Sequence, residues 1–128
     1  MAKKFKIASN PTFKSKVSVP RVGGEDIQVE FEFKTLSRTK LAQVFDKWQE
    51  QTKQLTEEDM DTLSALTEAD IEIQVEQIKD VVVGWEFEDE FNDENIRELV
   101  ETSSSAANAI LEVYQEAYSK KRLGNSEK

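Results

Sequence analysis

The chain has 128 residues, 17 lysines and arginines against 26 aspartates and glutamates, and a net charge of −9. With no cysteine and no histidine it has no disulfide, no thiolate metal site, and no Ser-His-Asp or Cys-His nucleophilic arrangement of its own. Its 38% apolar share and 34% charged share describe a water-facing chain of one domain, long enough to bury a core.

The charge is unevenly spread. Residues 1–24 carry Lys3, Lys4, Lys6, Lys14, Lys16 and Arg21 and no acid, whereas Glu50 to Glu101 is dominated by acids. An acidic bulk argues against binding nucleic acid, which requires a basic footprint. No apolar run approaches the ~20 residues of a membrane span. The N-terminus MAKKFKIASN lacks the apolar stretch of a secretory signal.

In chain order, FKIAS at 5–9 is a candidate short strand. TFKSKVSV at 12–19 and IQVEFEFK at 27–34 alternate with period two, placing Phe13, Ser15, Val17 and Val19, and Ile27, Val29, Phe31 and Phe33, on one face each. PRVGGED between them supplies turn residues for a hairpin. Lys14 and Lys16 are then expected opposite Glu30 and Glu32.

The period then lengthens. Ser37 caps an expected helix with Leu41, Val44, Phe45 and Trp48 on its apolar stripe. Thr56 and Asp59 form a capping-box start for a second helix, with Met60, Leu63 and Leu66 on one stripe. Ile71, Val75, Ile78, Val82 and Trp85 continue at helical spacing, and Gly84 is read as the helix end. Asn92 caps a third helix, with Phe91 and Ile96 at staple spacing and Asp93 and Glu94 beside the positive end of its dipole. A fourth helix follows SSS at 103–105, over AANAILEVYQEAYSKKR, with Lys120, Lys121 and Arg122 in its last turn and Gly124 as a stop.

The expected fold is therefore α+β: an N-terminal antiparallel β-hairpin or three-stranded sheet packed against about four α-helices. Residues 1–128 read as one domain, with a β-rich part over 5–34, a helical part over 37–123 and a frayed tail over 124–128.

VVVGWEFEDEFNDEN at 81–95 sets an apolar run directly against an acidic one. Helix packing and N-terminal helix acids explain part of it; Glu86, Glu88 and Glu90 are left over. An EF-hand frame started at Glu88 puts Asp93 where glycine belongs and Leu99 where the closing carboxylate belongs, so the calcium reading fails. Gly23–Gly24 lacks both a phosphate-loop lysine and a dinucleotide fingerprint. No cofactor and no metal is expected. Apolar rings in an acidic rim suit docking of a basic amphipathic helix, which makes Trp85, Glu86, Phe87, Glu88, Glu90 and Phe91 the candidate partner-binding residues.

The order of features resembles the small tail assembly chaperones of long-tailed bacteriophages. Asn-Pro-Thr-Phe at 10–13 precedes a strand pair, and a helix carrying a phenylalanine and Trp48 follows. An acidic helix then ends in IKDVVVGWEFEDEFNDENIRELVE, and the chain closes on AANAILEVYQEAYSKKRLGN. The resemblance implies a non-enzymatic partner of the helix-rich tape-measure protein, acting in the bacterial host cytoplasm. It would keep that protein soluble, help recruit the major tail-tube protein and be absent from the mature virion. A homo-oligomer is compatible with the basic C-terminal helix end; neither a nucleic acid nor a membrane is an expected partner. The competing reading is an acidic inhibitor or DNA mimic that occupies a host nucleic-acid-binding protein.

Overall fold

The computed structural model describes residues 4, 5, 7 and 10–119. The two alternating segments form β1 (Thr12–Val19) and β2 (Ile27–Lys34), paired antiparallel through a turn in which Gly23 takes a φ of 73°, a conformation open to glycine. Lys14 lies opposite Glu32 and Lys16 opposite Glu30, as the alternation requires.

α1 (Arg38–Lys53) starts where Ser37 Oγ accepts the amide of Lys40 at 3.3 Å. Trp48 is its buried anchor, and its Nε1 donates to Asp80 on α2 (Leu63–Val81) at 2.8 Å. The start of α2 corrects the sequence reading. Thr56 and Asp59 do exchange the two capping-box hydrogen bonds, at 2.8 and 3.1 Å, but they close a separate turn. The helix begins after Thr62, whose Oγ1 accepts the amide of Ala65 at 3.0 Å.

The end of α2 is the larger correction. The helix stops at Val81, and Val82–Trp85 turns into a strand, β3, instead of another helical turn. Helical spacing of Val82 and Trp85 lost to the strand preference of three consecutive valines and to the open edge of β2 beside them. β3 pairs antiparallel with β2, Phe31 opposite Trp85 and Glu32 opposite Gly84, giving a three-stranded sheet in the order β1-β2-β3. Gly84 is thus a ladder residue, not a helix cap. Phe33 pairs with Val82, which leaves Val83 as an extra residue at a bulge, 39% exposed. The third strand of the sheet therefore comes from 82–85. The strand suggested over 5–9 falls partly on residues outside those described.

α3 (Asp93–Thr102) and α4 (Ala106–Ala117) follow. The structure is α+β, a three-stranded antiparallel sheet with four helices, as expected. Its core lies between the inner sheet face (Val17, Val19, Val29, Phe31, Phe33) and the buried stripes of the helices, chiefly Ile78 and Val81, Ile96 and Val100, and Ile110 and Tyr114. Tyr114 Oη donates to the carbonyl of Lys34 at 2.9 Å, and Tyr118 Oη accepts the amide of Leu36 at 2.9 Å, so two tyrosines one turn apart fasten α4 to the end of β2. The basic stretch Lys120–Arg122 lies outside the described residues.

Candidate functional site

The acidic loop begins where β3 ends. β2 continues past Trp85, and the next backbone amide, that of Glu30, donates to Glu86 Oε1 at 2.9 Å. A side-chain carboxylate there takes the place of a strand carbonyl. This accounts for one of the three acids that helix packing leaves over: Glu86 extends the sheet by one rung.

The rest of the loop is held by its backbone. Trp85 Nε1 donates to the carbonyl of Asp89 at 2.7 Å, and Asn95 Nδ2 donates to the carbonyl of Glu90 at 2.8 Å. Asn92 then caps α3 by accepting the amide of Asn95 at 2.9 Å. With the carbonyls turned inward to these donors, Glu88, Asp89 and Glu90 are exposed.

The rings face the other way. Trp85 meets Phe87 and Phe91 edge-on, with centroids 5.0 and 5.1 Å apart, and both Trp85 and Phe87 meet Phe31 of the core edge-on at 6.1 Å. Such edge-to-face pairs each add about 0.5–1.5 kcal/mol beyond area burial. Trp85, Phe87 and Phe91 are half-buried against the core rather than free in an acidic rim. The six sequence-selected residues therefore divide: three rings packed together, Glu86 bonded to β2, and Glu88 and Glu90 exposed.

A groove of about 500 Å³ runs beside the rings. Trp85, Phe87 and Asp89 form one wall, Asn95, Glu98 and Leu99 of α3 another, and Val19, Pro20, Arg21 and Val22 of the hairpin the third. Val22 is 87% exposed at the groove mouth. Sequence reading missed the hairpin and α3 walls because they join the loop only through tertiary packing; the exposed valine inside a Pro-Gly turn was the one available hint. Arg21 is the single basic residue of this lining, against Asp89 and Glu98.

Behind the site, Lys79 bridges the end of α2 to the start of α3, 3.1 Å from Asp93 and 3.6 Å from Glu76. The hydrogen bond to Asp93, with the charge of Glu76 second, holds its ammonium above the usual lysine pKa. Among the described residues no group of three or more carboxylates is placed to hold a metal ion, and no helix is long and apolar enough to cross a membrane.

A family model described as phage tail assembly chaperone matches residues 1–125. The chain belongs to the phage tail assembly chaperone family. The match takes in the sheet, the four helices among the described residues of this chaperone-family protein and the acidic-aromatic loop. No curated protein and no solved structure matches the chain.

Proposed function

We propose that this tail assembly chaperone binds the tape-measure protein, keeps it soluble before tail polymerisation and helps recruit the major tail-tube protein, without catalysis. It does so in the bacterial host cytoplasm and leaves before the virion is complete. The observation that supports this reading most is the pairing of a groove, part of whose wall is Val19, Val22, Trp85, Phe87 and Leu99, with an exposed acidic loop whose backbone is fixed by Trp85 and Asn95.

A long helical client presents amphipathic segments, and a helix lying in a groove buries its apolar side chains while its basic flanks meet the rim. The partner-binding residues of this reading are Trp85 and Phe87 in the groove wall, Phe91 packed against Trp85, Glu88 and Glu90 as the exposed charges of the loop beside the groove, and Glu86 holding the loop in place. Fixing the loop in advance spares the ordering cost that a mobile segment would incur on binding. Several copies along one extended client gain avidity from repeated weak contacts. A net charge of −9 helps keep the chaperone soluble.

The test is co-expression with the tape-measure protein of the same phage, scored by solubility and co-purification. A soluble complex with the wild type, lost with Glu88→Lys and Glu90→Lys together, supports both the role and the site. A tape-measure protein that remains insoluble and captures nothing removes the reading.

A further inference from the structure

Leu63 and Leu66 lie in the first turn of α2, yet they are 80% and 38% exposed, whereas Ile71, Val75, Ile78 and Val81 further along the same helix are buried; Met60, 55% exposed, lies in the turn before it. The reason is a mismatch in length. α2 has 19 residues and α3 has 10. The two run antiparallel: Lys79 pairs with Asp93 at 3.1 Å, and Arg97 approaches Glu72 at 3.9 Å. By that register the end of α3 falls beside about residues 67–70 of α2, so the first turn of α2 projects beyond this packing partner.

The projection leaves a groove of about 310 Å³ with Ile71 and Val100 at its floor and Leu63 and Leu66 along its side. An isolated exposed leucine carries no message, but leucines at i and i+3 above an apolar floor form a continuous face. The rim is acidic. Asp70 and Glu101 line it, no basic residue does, and Arg97, 3.7 Å from Glu101, is also within 3.9 Å of Glu72. This face is separate from the aromatic site. Asn95, Glu98 and Leu99 of α3 line that groove, whereas Val100 and Glu101 line this one.

We propose that the projecting start of α2 is a second docking surface, and that its occupant is a basic amphipathic helix of a partner protein. Such a helix lies on α2 in line with α3, where α3 would pack if it were longer. Its apolar stripe covers Leu63 and Leu66, and its lysines or arginines meet Asp70 and Glu101. Charge complementarity decides against a second copy of this acidic segment, which would bring like charges together. The proposal stands apart from the tape-measure reading, because its partner is defined by chemistry alone.

The probe is a short labelled leucine–lysine peptide that forms an amphipathic helix, with a leucine–glutamate peptide of the same pattern as control. Binding to the full chain is followed by fluorescence anisotropy and by amide chemical-shift mapping. The expected result is perturbation of residues 63–71 and 100–104 by the basic peptide and none by the acidic one. Because both leucines are exposed, Leu63→Asp with Leu66→Asp leaves circular dichroism unchanged and weakens binding at least about ten-fold, as expected when two leucines lose their burial. Perturbation confined to the Trp85–Phe91 side overturns this proposal and leaves the tape-measure reading intact. Equal binding by wild type and the double variant also overturns it. So does a change in sedimentation of the unliganded double variant, which would make this face a contact between copies.

Discussion

Trp85 and Phe87 stand edge to face, centroids 5.0 Å apart and ring planes at 88°. Both lean on Phe31, which is fully buried. The rings of the candidate site are therefore continuous with the core, and a substitution there acts on stability and on docking together. Phe31→Ala is expected to cost about 3–5 kcal/mol, and half-buried Phe87→Ala about 1–3 kcal/mol. Urea unfolding midpoints check the order; a Phe87→Ala midpoint equal to wild type would mean that the ring is not held against the core. Truncating Phe87 and Phe91 is consequently a poor test of binding by itself, whereas Glu88 and Glu90 can be changed at little cost to the fold.

Asp80 receives two hydrogen bonds, from Trp48 Nε1 at 2.8 Å and Lys47 Nζ at 2.9 Å. Trp48 is 8% exposed, so Asp80→Ala strands a buried indole donor and is expected to destabilise by about 1–3 kcal/mol. Asp80→Asn keeps an acceptor and gives up the half-exposed ion pair, worth about 0–1 kcal/mol. Thermal unfolding of the two variants separates the contributions; equal losses would show that the indole bond is not the larger one.

Tyr114 is buried with its hydroxyl 3.2 Å from that of Tyr118. Burial, followed by the bond to Tyr118, pushes the Tyr114 phenol well above its ordinary pKa. The unfolded chain loses this proton near pH ~10, while the folded chain keeps it. The resulting stability is present below that pH and is lost as pH rises above it. Tyr114→Phe removes a hydrogen bond and is expected to be less stable by about 0.5–1.5 kcal/mol at neutral pH. Its deficit shrinks above pH ~10. Denaturant titrations of both proteins from neutral to alkaline pH check this, and a constant deficit would contradict it.

The hairpin and three helix starts were legible because their signals are local. Alternation fixed the faces of β1 and β2, and Ser37 and Asn92 cap through bonds three residues long. β3 was not legible, because Val82 and Trp85 stand at helical spacing and share one face of a strand only through the bulge at Val83, which pairing with the open edge of β2 imposes. The exposure of the leucines of α2 was not legible for a related reason. Spacing identifies which face of a helix is apolar, not how far its partner extends. At the site, the rings and acids could be found in one contiguous run. The bond from the Glu30 amide to Glu86 spans 56 residues and has no sequence signal.

The most direct measurement is co-purification of the tape-measure protein with the wild type and with the Glu88→Lys, Glu90→Lys variant. Both carboxylates are exposed, so the variant should unfold within about 0.5 kcal/mol of wild type. The expected result is a soluble complex with the wild type and none with the equally stable variant. A complex that survives the charge reversal would contradict the assignment of client binding to this loop.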